Sequence, residues 1–133
     1  MDNKLAEDMA DSARSAVEFT KTQFHTNLDY GIDSLTQLEQ LFDRIPYTMP
    51  NPDSKETTGL LTRLWGSYLG EVIRKQHGGK WLLWNDEHGK ALALQVGQAL
   101  VFPFNKVKKR LERGPGQSIW DYYQHLSGQL PSK

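Results

Sequence analysis

The spacing of apolar residues predicts two helices in the first third of the chain. Between Leu5 and Phe24 the apolar residues recur mostly at steps of three and four, which places them on one face of an amphipathic helix. A second apolar series begins at Leu35, after Asp33 and Ser34. Either of these two side chains could cap the helix, and Ser34 with Gln37 fits a capping box. A cluster of prolines then predicts an exposed connector over residues 46–54.

The middle of the chain predicts a long third helix followed by short strands. The helix is expected to begin near Thr57 or Thr58, and its wide apolar stripe indicates a central position between neighbours. Gly78 and Gly79 end it. Residues 80–84 and 91–94 alternate around a turn at 86–89 and predict a β-hairpin, and a third short strand is expected over 99–102.

Two further helices complete the prediction. Pro103 suits the first turn of a helix over 104–113 that turns Phe104, Val107 and Leu111 inward, and Ser118 can cap a final helix. The order predicts an α+β fold with about five helices and a small antiparallel sheet of two or three strands between helix 3 and helix 4. At 133 residues a single domain over 1–133 is expected, with the N-terminal helix over 1–27 peripheral or at an oligomer interface.

Composition excludes several chemistries and assigns none. Apolar residues make up 38% of the chain, enough for a packed core, but there is no cysteine and hence no disulfide, thiol nucleophile, Cys-ligated zinc or iron–sulfur cluster. The four histidines lack metal-ligand spacing, and no phosphate loop or nucleophile elbow is present. We therefore expect no catalytic residue, no metal and no cofactor. Whether the protein is an enzyme stays open, with a non-enzymatic role favoured.

The N-terminal segment and the longest apolar runs indicate the cellular compartment of the protein. The first twenty residues carry four acidic side chains before residue 12 and no apolar stretch typical of a secretory signal. The longest apolar runs elsewhere are far shorter than the roughly 20 residues that a membrane helix needs. The sequence therefore predicts a cytoplasmic protein that does not contact membranes.

The formal net charge of zero is the sum of two unlike halves. Residues 1–56 carry five basic and eleven acidic side chains, a balance of −6, whereas residues 57–133 carry eleven basic and five acidic, a balance of +6. The halves could neutralise each other within one molecule. Alternatively, a basic stripe on the fourth helix could bind an anion, using Lys106, Lys109, Arg110 and Arg113. No nucleic-acid motif accompanies the stripe, so nucleic acid is the less favoured partner.

The third helix contains two glycines, Gly66 and Gly70, each of which costs about 1 kcal/mol relative to alanine in a helix interior. One interpretation is structural: the two glycines form a groove into which another helix or the hairpin packs. The other is functional, with the groove as the floor of a ligand cleft, Glu71 and Arg74 as its polar walls and Trp81 as its lid. The candidate cleft residues are Gly66, Tyr68, Gly70, Glu71, Arg74 and Trp81.

Several of these residues also carry a resemblance. The segments 66–74, 78–81, 103–110 and 114–119 follow the patterns G-x-Y-x-G-E-V-[IL]-R, G-G-x-W, P-[FL]-x-K-V-x-K-R and G-x-x-x-S-[IL]. In these patterns the chain resembles, over about residues 28–126, a family of small bacterial domains of unknown function. The resemblance implies a small α+β domain and brings no activity with it.

Three functional hypotheses follow. The first is a non-enzymatic protein-binding or regulatory module that uses the hairpin, because strand alternation separates Trp81 from Trp84 and could turn one of them outward. Its partner would be another protein or a second copy, and a dimer through helix 1 is one possibility. The second is a small enzyme or ligand cleft using Glu71 and Arg74. The third is anion or nucleic-acid binding through the helix over 106–113.

Overall fold

Five α-helices and a three-stranded antiparallel sheet make up the part of the chain that the computed structural model describes, residues 3–132. In chain order the elements are α1 (Asn3–Phe24), α2 (Ser34–Thr48), α3 (Lys55–His77), β1 (Lys80–Asp86), β2 (Gly89–Val96), β3 (Ala99–Val101), α4 (Pro103–Arg113) and α5 (Ile119–Ser127). A single 3₁₀ turn over Pro115–Gln117 joins α4 to α5. The sheet lies between α3 and α4 in the sequence, so the α+β prediction is confirmed.

The sheet is a hairpin with one added strand, in the order β1-β2-β3. Trp81 pairs with Leu94 across the hairpin, and Leu94 pairs in turn with Val101 of β3. Because side chains alternate between the two faces of a strand, these three residues share one face, and all three are buried. The third strand, whose existence the sequence left open, is therefore part of the core.

Helix α3 is the centre of the core. Its Trp65 is fully buried, and the indole ring lies 5.5 Å from the Phe24 ring and 5.1 Å from the Phe42 ring. The indole Nε1 also donates a hydrogen bond of 3.1 Å to the Thr20 hydroxyl of α1. Helix α1 thus packs along α3, with small side chains such as Ala13 and Ala16 completely buried at the contact.

The start and end of α2 differ from the prediction. Ser34 forms no capping box with Gln37: it is already the first residue of α2, and its hydroxyl donates to the Gly31 carbonyl at 2.6 Å. Asp33 precedes the helix, but its side chain makes no capping hydrogen bond. Pro46 lies inside the last turn of α2 and does not end it. A proline this close to the C-terminal end removes one helical hydrogen bond, while the next turn still closes through Met49 N–H to Ile45.

Two helices, α3 and α5, begin at serine side-chain caps. Ser54 caps α3 by accepting from the Thr57 N–H at 3.1 Å, so this helix begins two residues earlier than expected. Ser118 caps α5 as predicted, accepting from the Asp121 N–H at 3.1 Å.

Candidate functional site

Glu71 lies near the middle of the molecule and has no free oxygen. Only 2% of the Glu71 surface is exposed, although its side chain is a carboxylate. Arg74, one turn later on α3, donates from Nε to Oε2 at 2.7 Å and from Nη2 to Oε1 at 3.1 Å. The Trp81 indole Nε1 of β1 donates to Oε2 at 2.9 Å. Both oxygens are therefore occupied by donors from two different elements.

The pKa of the Glu71 carboxyl reflects two opposing effects. Burial alone would raise this pKa, because desolvation disfavours the charged form. The hydrogen bonds from Arg74 and Trp81 outweigh that cost, and the net pKa lies below its ordinary value. Glu71 is therefore charged at neutral pH and acts as an internal counter-ion, which is a poor starting point for a general acid.

The two glycines of α3 lie beneath aromatic side chains. A Cβ on Gly66 would come within 2.6 Å of Phe104 Cδ1, and a Cβ on Gly70 would overlap the six-membered ring of Trp81. Gly70 also lies against Pro103, at 3.2 Å from such a Cβ. The hairpin and the start of α4 therefore pack directly onto the α3 backbone. This close approach explains both glycines.

Tyr68 faces the opposite side of α3 and joins it to the loop before α2. Its hydroxyl lies 2.6 Å from the Ser34 hydroxyl and accepts from the Tyr30 N–H at 2.8 Å. Burial raises the pKa of Tyr68 to about 12. The hydrogen bond holds Tyr30 at a positive φ of 66°, a conformation that residues other than glycine rarely adopt. The hydroxyl of Tyr68 is thus fully used in fixing this loop.

The candidate cleft residues are brought together, but as packed groups. Gly66, Gly70, Glu71 and Arg74 line one side of α3, and Trp81 lies on Gly70 with 4% of its surface exposed. Tyr68 points elsewhere, toward Ser34. A ligand-binding role for these residues stays a prediction. The contacts they make pack α3 against the sheet and against the start of α4.

The basic stripe of α4 is divided by burial. Arg110 is 5% exposed, and its Nε donates to Glu39 Oε2 at 2.8 Å while its guanidinium lies over the Phe42 ring at 4.6 Å. Lys109 and Arg113 are exposed, and Lys106 is half-buried with its ammonium donating to the Gln117 side chain at 3.1 Å. Arg110 therefore faces the interior, and the four cations do not form one open anion-binding face.

Glu39 is the residue that sequence reasoning missed. Its Oε1 accepts from the Ile119 N–H at 2.7 Å while Oε2 holds Arg110, so one carboxylate connects α2, α4 and the start of α5. It belongs to the acidic half of the chain and Arg110 to the basic half, so part of the charge asymmetry is neutralised inside the molecule. No local pattern marks this pair, because 71 residues separate the partners.

The hairpin turns one tryptophan inward and one outward. Trp81 is buried, whereas Trp84 is 39% exposed and the adjacent Leu83 is 51% exposed. Leu83 and Trp84 point to opposite faces of β1, so the hairpin is apolar on both faces just before its polar end, residues 85–90. Their cross-strand neighbours, Leu92 and Ala91, are only half-buried. We call this surface, formed by residues 83, 84, 91 and 92, the hairpin tip.

Two kinds of feature are not found within residues 3–132. No group of three or more His, Asp or Glu side chains in this range could hold a metal ion. None of the helices described here combines the length and apolar character that crossing a bilayer requires.

A small α+β domain built around one buried helix is the class that this fold defines. Residues 51–123 match a family described as Domain of unknown function (DUF3806), and because the match spans more than half of the chain, the protein belongs to that family. The matched region runs from the connector before α3 into α5. Helices α1 and α2 lie outside it, so the match is shorter than the resemblance over 28–126.

The fold is also similar to a solved structure. A crystal structure from Bacteroides thetaiotaomicron VPI-5482 at 1.50 Å resolution superposes with a TM-score of 0.66 at 14% sequence identity. The alignment covers 91% of this chain and 43% of that one, so the present chain spans under half the length of its neighbour. At this identity the likeness concerns the fold alone. No curated protein matches the sequence.

Proposed function

We propose that this domain is a non-enzymatic protein-binding module whose contact surface is the hairpin tip. The observation that carries the proposal is the exposure of Leu83 and Trp84 on opposite faces of one strand. A tryptophan exposed beside a leucine is unfavourable in water unless another surface covers it, and tryptophan is enriched among the residues that dominate protein interfaces.

The chemistry of Glu71 supports a non-enzymatic role. A general base needs a lone pair that a substrate can reach, but the Glu71 oxygens are held by Arg74 and Trp81 and are shielded from solvent. The Trp81 bond also joins β1 to α3 and thereby fixes the position of the hairpin. Under this proposal the buried cluster serves binding indirectly, by keeping the tip rigid.

The experiment compares the wild type with Leu83→Thr, Trp84→Thr and the control Tyr47→Gln. Tyr47 is 90% exposed on α2, so its replacement removes an exposed aromatic ring outside the hairpin tip. Each protein is immobilised, proteins are captured from a lysate of the source cells, and each enriched protein is purified and titrated by calorimetry. Sedimentation equilibrium of the same variants tests a second copy of the chain as the partner.

We expect at least one purified partner, or the second copy, to bind the wild type and Tyr47→Gln equally and to bind Trp84→Thr about tenfold or more weakly. All four proteins should remain folded at the assay temperature by circular dichroism, and only the two tip variants should unfold at a somewhat lower temperature, because Leu83 and Trp84 are partly covered whereas Tyr47 is not. The proposal fails if no protein binds, or if the bound protein is insensitive to both tip substitutions while the fold is intact.

A further inference from the structure

A second surface adjoins the hairpin tip at Leu92 and does not include Leu83 or Trp84. It is a groove of about 1040 Å³ between the C-terminal end of α2, the first half of α3 and the helix α4. This volume is at the upper end of the range of ligand sites in proteins. The α3 side of the groove is formed by Lys55, Thr58, Gly59, Thr62 and Arg63, which recur at helical spacing on one face.

Gly59 differs from the other glycines of α3. An ideal Cβ on Gly59 would meet no atom within 4 Å, whereas Gly66 and Gly70 are covered by neighbouring side chains. Glycine is less favourable than alanine in a helix interior, and no contact within the described chain offsets that cost at Gly59. A molecule lying in the groove could approach the α3 backbone closely there.

Thr62, one turn after Gly59, has an unused hydroxyl. Its Oγ1 is shielded from solvent and makes no hydrogen bond within residues 3–132. A buried hydroxyl without a partner destabilises the fold. Rotation of the Thr62 side chain about χ1 would be needed to present this hydroxyl to a polar group of a bound molecule.

The charges of the groove favour an acidic molecule. Lys55, Arg63 and Lys108 line it and form no ion pair with any described residue, whereas Arg110 in its wall is already held by Glu39. Asp53 and Glu112 also line it, so the cationic excess is modest. The rest of the wall is largely apolar, with Phe42, Ile45 and Leu111 among its residues.

From these observations we infer that the groove binds an acidic peptide segment of a protein partner, one that combines apolar side chains with carboxylates. The apolar wall takes the apolar side chains, Arg63 and Lys108 pair with the carboxylates, and the segment passes over Gly59. A polyanion such as nucleic acid fits less well, because the apolar wall offers nothing to a phosphate backbone, whereas it can pack against the apolar side chains of a peptide. The inference goes beyond the proposed function and uses a different surface.

The test is a selection of random displayed peptides on the purified wild-type protein, followed by titration of the selected peptides against variants. Lys108→Glu reverses a charge inside the groove. Its matched control is Lys109→Glu, the same change at the next position of α4, where the side chain is exposed and does not line the groove. Gly59→Leu fills the groove at a position where a side chain meets no obstacle in the chain.

We expect the selected peptides to be enriched in Asp and Glu beside apolar residues. Lys108→Glu and Gly59→Leu should weaken their binding about tenfold or more, while Lys109→Glu and the tip variant Trp84→Thr leave it unchanged. Thermal midpoints of the variants at or above that of the wild type would show that the loss is local.

Other results would overturn the inference. These are a selection without acidic enrichment, no selected peptide at all, or binding that is insensitive to the two groove variants. Binding of poly(U) RNA that Lys108→Glu abolishes, without acidic peptides, would assign the groove to nucleic acid instead. Because Trp84→Thr is measured in parallel, a failure of the groove inference is distinguished from a failure of the proposed function.

Discussion

At the scale of single residues, three glycines of α3 with the same helical conformation have different surroundings. Gly66 lies under Phe104 and Gly70 under Trp81, whereas Gly59 has open space where a side chain would be. Helix propensity disfavours all three equally, so the surroundings alone decide what a methyl group would do.

The first prediction follows from that contrast. Gly70→Ala should destabilise the fold by about 2 kcal/mol, because the new methyl group overlaps the Trp81 ring and the sheet must move. Gly59→Ala, the matched control, should stabilise it by about 0.5–1 kcal/mol through helix propensity. Urea unfolding monitored by circular dichroism measures both. Equal stabilities of the two variants would contradict the packing described here.

The second prediction concerns the pH dependence of stability. The folded pKa of the Glu71 carboxyl lies below its ordinary value of 4.5, so folding favours the charged form. The resulting stabilisation is fully present above pH 4.5 and is lost as the pH falls through the lowered folded value. Glu71→Gln should therefore lower the free energy of unfolding by about 2 kcal/mol at neutral pH, and the deficit should shrink in acid.

The control for this prediction is Glu18→Gln, which changes an exposed carboxylate of α1. Its free energy of unfolding should stay close to that of the wild type, because an exposed side chain contributes little to stability. A deficit of Glu71→Gln that is the same at pH 3 and pH 7 would contradict the charged state assigned to Glu71.

At the scale of secondary-structure elements, Glu39 and Arg110 determine how α2, α4 and α5 meet. Arg110 is buried between the Glu39 carboxylate and the Phe42 ring, and the same carboxylate accepts from the first N–H of α5. The two charges are compensated only while all three helices are in place.

Removing one partner should therefore be costly. Glu39→Ala should destabilise the fold by about 3 kcal/mol, because it leaves the buried Arg110 guanidinium with only the exposed Asp43 carboxylate, 3.7 Å away, as a counter-ion. Lys109→Glu, a change of two charge units on the exposed side of the same helix, should alter stability by less than about 0.5 kcal/mol. Chemical denaturation of the two variants measures the difference. Similar values would mean that Arg110 is hydrated and not buried.

The elements themselves could largely be predicted from local sequence, and the partners of their polar residues could not. Apolar spacing, together with Ser118 and Gly78, indicated five helices and a hairpin. The prediction that α2 ends before Pro46 was wrong, because a proline in the last turn removes too few hydrogen bonds to end a helix. Spacing on α4 placed Arg110 with the exposed cations, since burial depends on Glu39, which is distant in the sequence.

The candidate cleft was also only partly accessible to sequence reasoning. A close approach at Gly66 and Gly70 was one of two interpretations, and strand alternation separated Trp81 from Trp84 without saying which of them faced inward. Packing against Gly70 decides that question, because only the inward residue can reach the Glu71 carboxylate.

At the scale of the whole molecule, the acidic and basic halves of the chain are not separate units. Glu39 of the acidic half accepts a hydrogen bond from Arg110 of the basic half. Helix α1 packs along α3, and the Trp65 indole donates a hydrogen bond to the Thr20 hydroxyl. The N-terminal helix contributes fully buried side chains to the common core. Its proposed place at an oligomer interface would involve only its outer face.

We therefore expect a single cooperative unfolding transition. Far-ultraviolet circular dichroism, which follows all helices, and tryptophan fluorescence, which includes Trp65 at the contact between α1 and α3, should give the same midpoint in urea. Two separate transitions, the first of which lowers the helical signal and changes the Trp65 emission, would mean that α1 detaches first, in agreement with a peripheral helix over 1–27.

Because the Trp81 indole is hydrogen-bonded to the Glu71 carboxylate, Trp81 fluorescence can report whether the sheet has docked on α3. Its emission depends on whether the indole N–H faces a charged oxygen or water, and that contact exists only when β1 is seated on α3. With Trp65, Trp84 and Trp120 replaced by phenylalanine, the remaining tryptophan would follow the docking of the sheet in real time during refolding, without any attached dye.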